Sequence, residues 1–166
     1  SLPILINTMQ HLTILNSREV RKLNEKLVEQ FGYALQEEYA YLQNTQQKIF
    51  LINRDVAKID LNKLIVDKIG LYFAEMNDTE VRLSKEGAQL LWKDAQRNKA
   101  QMKNVVEFTA KDVRLYFAGI EVKMDLGAEN RLVLLQYEED VIGCAKYKEG
   151  KILNYMPKIH RGEVIV

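Results

Sequence analysis

The spacing of apolar positions changes character along the chain, and each change predicts an element. Between Ser17 and Phe31, Val20, Leu23, Leu27 and Phe31 recur at helical intervals, Ser17 stands as the expected N-cap with Glu19 in the first turn, and Gly32 is placed to close the helix. The opposite face carries Arg18, Arg21, Lys22 and Lys26. These cations could reach phosphate, but Glu19, Glu25 and Glu29 interleave with them, which reads better as a solvated helix face. From Tyr39 the period shortens: Tyr39 to Leu42 and Lys48 to Ile52 flank the polar turn Asn44 to Gln47, a predicted hairpin. Ile65-Val66, Ile69 to Phe73 around Gly70, and Glu80 to Ser84 continue as strands, after which Ser84 is positioned to cap a helix with Glu86 in its first turn and Ala88, Leu91, Trp92 and Ala95 on one side.

Lys93, Arg97, Lys99 and Lys103 among Gln and Asn make residues 97–104 the expected linker, which divides the chain into a module at 1–102 and another at 103–166. Past it come a strand at Val105 to Phe108 and a short helix begun by Thr109, with Asp112 set for a capping-box contact. Val113, Tyr116 and Phe117 form the apolar side of that helix, and Gly119 ends it. Ile120 to Met124, Arg131 to Tyr137, Val141 to Tyr147, Ile152 to Met156 and Gly162 to Val166 read as short strands punctuated by glycine and proline, as in a small barrel. The predicted fold class is α+β: an N-terminal α/β module followed by a small β-barrel.

Composition narrows the function classes. The 166 residues are 47% hydrophobic and 28% charged, ordinary globular usage, and 24 Lys plus Arg against 23 Asp plus Glu leave no overall basic character, so any polyanion site must be a local patch. One cysteine, Cys144, excludes an intramolecular disulfide and a multi-cysteine zinc site and fits a reducing, cytoplasmic setting; His11 and His160 add no metal-ligand spacing. Ser1 to Ile6 is apolar but lacks a basic leader and is interrupted by Asn7 and Thr8, so it reads as an edge strand rather than a signal peptide, and no apolar run of about 20 residues predicts a membrane span.

Enzyme chemistry finds no footing. There is no Gly-rich phosphate loop, no Gly-x-Ser-x-Gly elbow and no HExxH, so neither a cofactor nor a catalytic residue is expected. Cys144 lies inside the apolar run Val141 to Ala145 and is expected to be buried. The adjacent carboxylates Glu37-Glu38 would point to opposite faces of a strand, and Glu138-Glu139-Asp140 falls between two strands, where a charged hairpin turn is expected.

The segment 141–162 is different. Lys146, Lys148, Lys151, Lys158 and Arg161 face a single acid, Glu149, a local net charge of +4, with Tyr147, Asn154, Tyr155 and His160 interleaved. Cations for phosphate, and rings and amides for unpaired bases, are what RNA recognition asks for. A lysine-rich hairpin that protects barrel edges is the alternative, and Tyr147 and Tyr155 suit a core as well as a stacking surface.

Asp140-Val141-Ile142-Gly143-Cys144-Ala145-Lys146, followed after a turn by Gly150-Lys151-Ile152-Leu153-Asn154-Tyr155-Met156-Pro157-Lys158-Ile159-His160-Arg161-Gly162, resembles the last strands of PUA domains, RNA-binding barrels of pseudouridine synthases and archaeosine transglycosylases. The likeness is to the version appended to Sun-family cytosine-5 RNA methyltransferases and to the one in large-subunit ribosome-biogenesis factors. Lys48 to Asn53, Lys68 to Phe73 and Glu80 to Ser84 with the helix after them resemble the pre-PUA module of those factors. The stretch Phe117-Ala118-Gly119-Ile120-Glu121 departs from the usual Gly-Ala, strand and Pro-Gly-Ile run, which implies a trimmed barrel, and the Pro-Cys and S-adenosylmethionine motifs of the methyltransferase are absent from the chain. The resemblance implies RNA contact by Lys146, Lys148, Lys151, Lys158 and Arg161, with Asn154 and His160 beside them, on ribosomal or transfer RNA, with a protein partner for the N-terminal module. Two rivals stand beside it. One is an adaptor whose protein interface uses Trp92, Phe73 and the apolar N-terminal segment; the other is a small RNA-modifying enzyme or its regulatory subunit, which would need a pocket of convergent polar groups.

Overall fold

The computed structural model describes residues 12–54 and 70–154. The predicted strands at Ile65-Val66 and Gly162 to Val166, the edge strand at Ser1 to Ile6, and the ends of two others at Ile69 and at Tyr155-Met156 lie outside them. Among the described residues the order is β1 (Thr13–Ile14), α1 (Ser17–Phe31), β2 (Tyr39–Gln43), β3 (Lys48–Asn53), β4 (Leu71–Met76), β5 (Val81–Leu83), α2 (Lys85–Arg97), β6 (Val105–Glu107), α3 (Ala110–Phe117), β7 (Val122–Lys123), β8 (Arg131–Tyr137), β9 (Asp140–Lys148) and β10 (Lys151–Ile152).

Local chemistry starts and stops the helices. Asn16, not Ser17, caps α1: its side chain accepts from Glu19 N while the Glu19 carboxylate accepts from Asn16 N, and Gly32 closes the helix at φ 78°. The correction has a simple reason, since only Asn16 stands three residues before Glu19, the spacing that lets cap and carboxylate satisfy each other's backbone donors. Leu23, Leu27 and Phe31 are fully buried, and Arg18, Arg21 and Lys22 are exposed, so the basic face is solvated as expected. Ser84 Oγ accepts from Gly87 N to begin α2, and Thr109 and Asp112 form the predicted capping box of α3.

The first sheet is an antiparallel meander ordered β1-β2-β3-β4-β5. Its outer strand β5 is not left open: the Gln30 side chain of α1 donates to Val81 O and accepts from Val81 N, both at 2.8 Å, as a neighbouring strand would. The second sheet is ordered β6-β8-β9-β10-β7 and curls into a half-barrel. Here β6 runs parallel to β8 because α3 and β7 intervene before the chain returns, and every other pairing is antiparallel.

Strand β8 is buried on both faces. Val133 and Leu135 point into the half-barrel with Phe108, Val113, Ala145, Tyr147 and Ile152, whereas Leu132 and Leu134 join Leu23, Leu27, Phe31, Ala88, Leu91 and Ala95 in a core shared with α1 and α2. Period-two alternation therefore gives one strand to two cores. The segment expected as a linker is tied on both sides. Lys103 N donates to Phe31 O, Asn104 Nδ2 to Gln30 O, and Asn104 in turn accepts from Arg131 Nε and, through its carbonyl, from Leu134 N.

Candidate nucleic-acid interface

The basic strands begin with a hairpin. Asp140 to Lys148 pairs with Arg131 to Tyr137, and the turn between them holds Glu138 at φ 55°, so Glu138-Glu139-Asp140 forms the charged turn expected of it. A second tight turn follows, with Glu149 at φ 49° and Gly150 at φ 80°. Positive φ at both positions matches the twist of a two-residue hairpin, and this turn sets Lys151 directly opposite Lys148 and Ile152 opposite Tyr147.

β10 then pairs with β7 on its other side, which sets Lys151 opposite Lys123 and Ile152 opposite Val122. Tyr147, Ile152 and Val122 are buried, at 1%, 0% and 2% exposure, so the residues beside them in each strand project from the other face. Lys148, Lys151 and Lys123 consequently form one row across three strands on the outside of the half-barrel. Directly opposed side chains have Cβ atoms about 5 Å apart, and like charges so placed repel. Lys148 and Lys123 are exposed, and at the row's centre Glu121 lies 3.9 Å from Lys151, a weak solvent-exposed contact. Lys123 is the member that sequence reading missed; it lies 25 positions before Lys148 in the chain and only strand pairing brings it there.

The other expected residues divide. Lys146 lies on the same face of β9 two residues before Lys148, but its Nζ donates to the Glu80 carboxylate at 2.9 Å and so ties β9 to the N-terminal sheet. The Asn154 amide donates to Tyr116 O at the end of α3. Lys158, His160, Arg161 and Tyr155 lie outside the described residues. Tyr147 is core and not a stacking surface: its hydroxyl donates to Gly127 O at 2.8 Å and accepts from Leu126 N at 3.0 Å, while the Arg131 guanidinium lies 5.4 Å from its ring centre.

Phe73, expected at a protein interface, is fully buried in the shared core, and Trp92 packs partly against that core and donates its ring N–H to Glu139 O at 3.0 Å. Cys144, expected to be buried, is half-buried against that core, and desolvation pushes its thiol up to about 11. Glu37 accepts from the Tyr39 hydroxyl and Glu38 pairs with Arg54, each committed to a separate partner. No group of three or more His, Cys, Asp or Glu able to hold a metal occurs among the described residues, and none of their helices is long and apolar enough to cross a membrane.

No curated protein matches the chain. Residues 103–161, which include β6 through β10, match the family model of the methyltransferase RsmF PUA domain, so the half-barrel is similar to the PUA domain that Sun-family RNA methyltransferases carry.

Proposed function

We propose that this chain binds RNA through its half-barrel, acts on ribosomal RNA during ribosome biogenesis or RNA modification, and has no catalytic role of its own. The observation that carries the reading is that cations accumulate in the last part of the stretch similar to a PUA domain, where Lys146, Lys148, Lys151, Lys158 and Arg161 stand against the single acid Glu149 in an otherwise neutral chain. A local basic segment in a neutral protein supports contact with the RNA backbone at one place instead of general adhesion to polyanions. In this reading the N-terminal module, a pre-PUA-like unit, holds the half-barrel in a fixed orientation and offers the surface for a protein partner, and the protein works in the cytoplasm.

The test is fluorescence-anisotropy titration of ribosomal RNA fragments and a U-rich single strand with the wild type and a Lys151→Glu/Lys158→Glu/Arg161→Glu variant whose melting curve shows that it is folded. Binding by the wild type that weakens steeply between about 50 and 200 mM salt, and is lost in the variant, is the expected result. Equal binding by both proteins, or none by either, would overturn the reading.

A further inference from the structure

We infer that the register-aligned row Lys148, Lys151 and Lys123 is a track for consecutive backbone phosphates of a single RNA strand, read without regard to base sequence. The inference rests on the RNA-binding reading above and names where, and with what chemistry, the strand lies. Three observations carry it. First, the pairing of β9 with β10 and of β10 with β7 puts three ammonium groups side by side on one face, with buried Tyr147, Ile152 and Val122 fixing the face to which they belong. Strands lie about 4.8 Å apart, so the row spans about 10 Å, enough to meet about two or three successive phosphates.

Second, the arrangement works against the free protein. Like charges at directly opposed positions of a sheet destabilise it, and here that conflict occurs twice in succession, relieved among the described residues by Glu121 beside Lys151 and by Glu149 in the adjoining turn. A polyanion laid along the row removes the repulsion. Lysine is suited to this, as a flexible point charge that can follow phosphates without fixing their geometry. Third, among the described residues Tyr147 and Asn154, the two of this segment that could read bases, have their polar groups engaged elsewhere: the Tyr147 hydroxyl bonds Gly127 and Leu126, and the Asn154 amide bonds Tyr116. The row can therefore sense charge and spacing but not sequence.

The test measures binding of oligo(U) and oligo(A) single strands by anisotropy from about 50 to 200 mM salt, for the wild type, a Lys123→Gln/Lys148→Gln/Lys151→Gln variant, and an Arg18→Gln/Arg21→Gln/Lys22→Gln variant that removes as many exposed charges from α1. Three single-strand phosphate contacts contribute about 2 to the slope of log affinity against log salt. The row variant should lose that amount with both oligonucleotides, so that the wild type loses about 15-fold more affinity than the variant over this salt range, while the α1 variant keeps the wild-type slope. If the triple variant does not fold, Lys123→Gln alone should lower the slope by about 0.7. Wild-type binding with an unchanged slope in the row variant would overturn the track while leaving RNA binding in place, as would a slope change with one oligonucleotide only. Absence of binding by the wild type would overturn both readings.

Discussion

Lys146 on β9 and Glu80 at the entry to β5 meet at 2.9 Å across the junction of the two sheets, 66 residues apart in the chain. Both side chains are about two-thirds or more shielded from solvent, at 27% and 31% exposure, and Glu80 is itself held by the turn in which Asn77 Oδ1 accepts its backbone N–H. The pair lies beside the shared apolar core, where Leu132, Leu134 and Val141 of the half-barrel pack with α1 and α2. It therefore locks an orientation that the apolar contacts already favour, and it draws one cation of the basic strands away from solvent.

A double-mutant cycle with Glu80→Gln and Lys146→Gln should give a coupling of about 1 kcal/mol, at the upper end for a surface pair because this one is partly shielded. Urea unfolding of the four proteins measures it, and a coupling near zero would mean that the contact is idle. In RNA titrations Lys146→Gln should lower the salt slope less than Lys123→Gln does, because the Lys146 ammonium already has a carboxylate.

Gly87 should tolerate no side chain. It sits in the first turn of α2 against β4, and a Cβ there would fall 2.0 Å from Phe73 O. In an exposed helix Gly→Ala stabilises by about 1 kcal/mol. Gly87→Ala should instead destabilise by about 2 kcal/mol or more, since helix and strand must separate to admit the methyl group. Thermal melting checks the sign, and an unchanged or raised Tm would refute the close approach.

Asp94, on α2, is 5% exposed, and it joins the chain after α1 to α2 by accepting from the Tyr33 hydroxyl at 2.8 Å, Gln36 N at 3.1 Å and Arg97 Nη2 at 2.9 Å. Burial alone would raise its carboxyl; the hydrogen bonds and the guanidinium outweigh that and hold it below its ordinary value of 3.8. Because the folded value is the lower one, its stabilisation is present above the ordinary value and is lost as pH falls through the folded one. Asp94→Asn should cost about 1–3 kcal/mol at pH 7. The gap between the two proteins in urea midpoint should narrow below about pH 4, and a gap independent of pH would show that charge contributes nothing.

The elements most legible in the chain are those set by neighbours a few residues apart. Ser84 and Thr109 as caps, Gly32 as a helix end, the Asn44 to Gln47 turn and the Glu138 to Asp140 turn all depend on local hydrogen bonds or local backbone sterics. Even the misplaced cap of α1 was readable, since Asn16 and Glu19 have capping-box spacing and Ser17 does not. The strand at Arg131 to Tyr137 was readable too, but not its division between two cores, because an apolar run looks the same whichever body covers each face.

What the sequence by itself determined, then, is the three helices and most of the strands among the described residues, the caps of α2 and α3, the turns between paired strands, the neutrality of the chain and the concentration of lysines in 141–162. Each of these follows from residue type and short-range spacing. Only the tertiary structure decided which lysines act together: Lys146 went to Glu80, Tyr147 went into the core, and Lys123 came alongside Lys151 and Lys148. Pairing between β10 and β7 joins segments separated by β8 and β9, and its register is chosen by burying Ile152 against Val122 and Tyr147 rather than by anything adjacent in the chain.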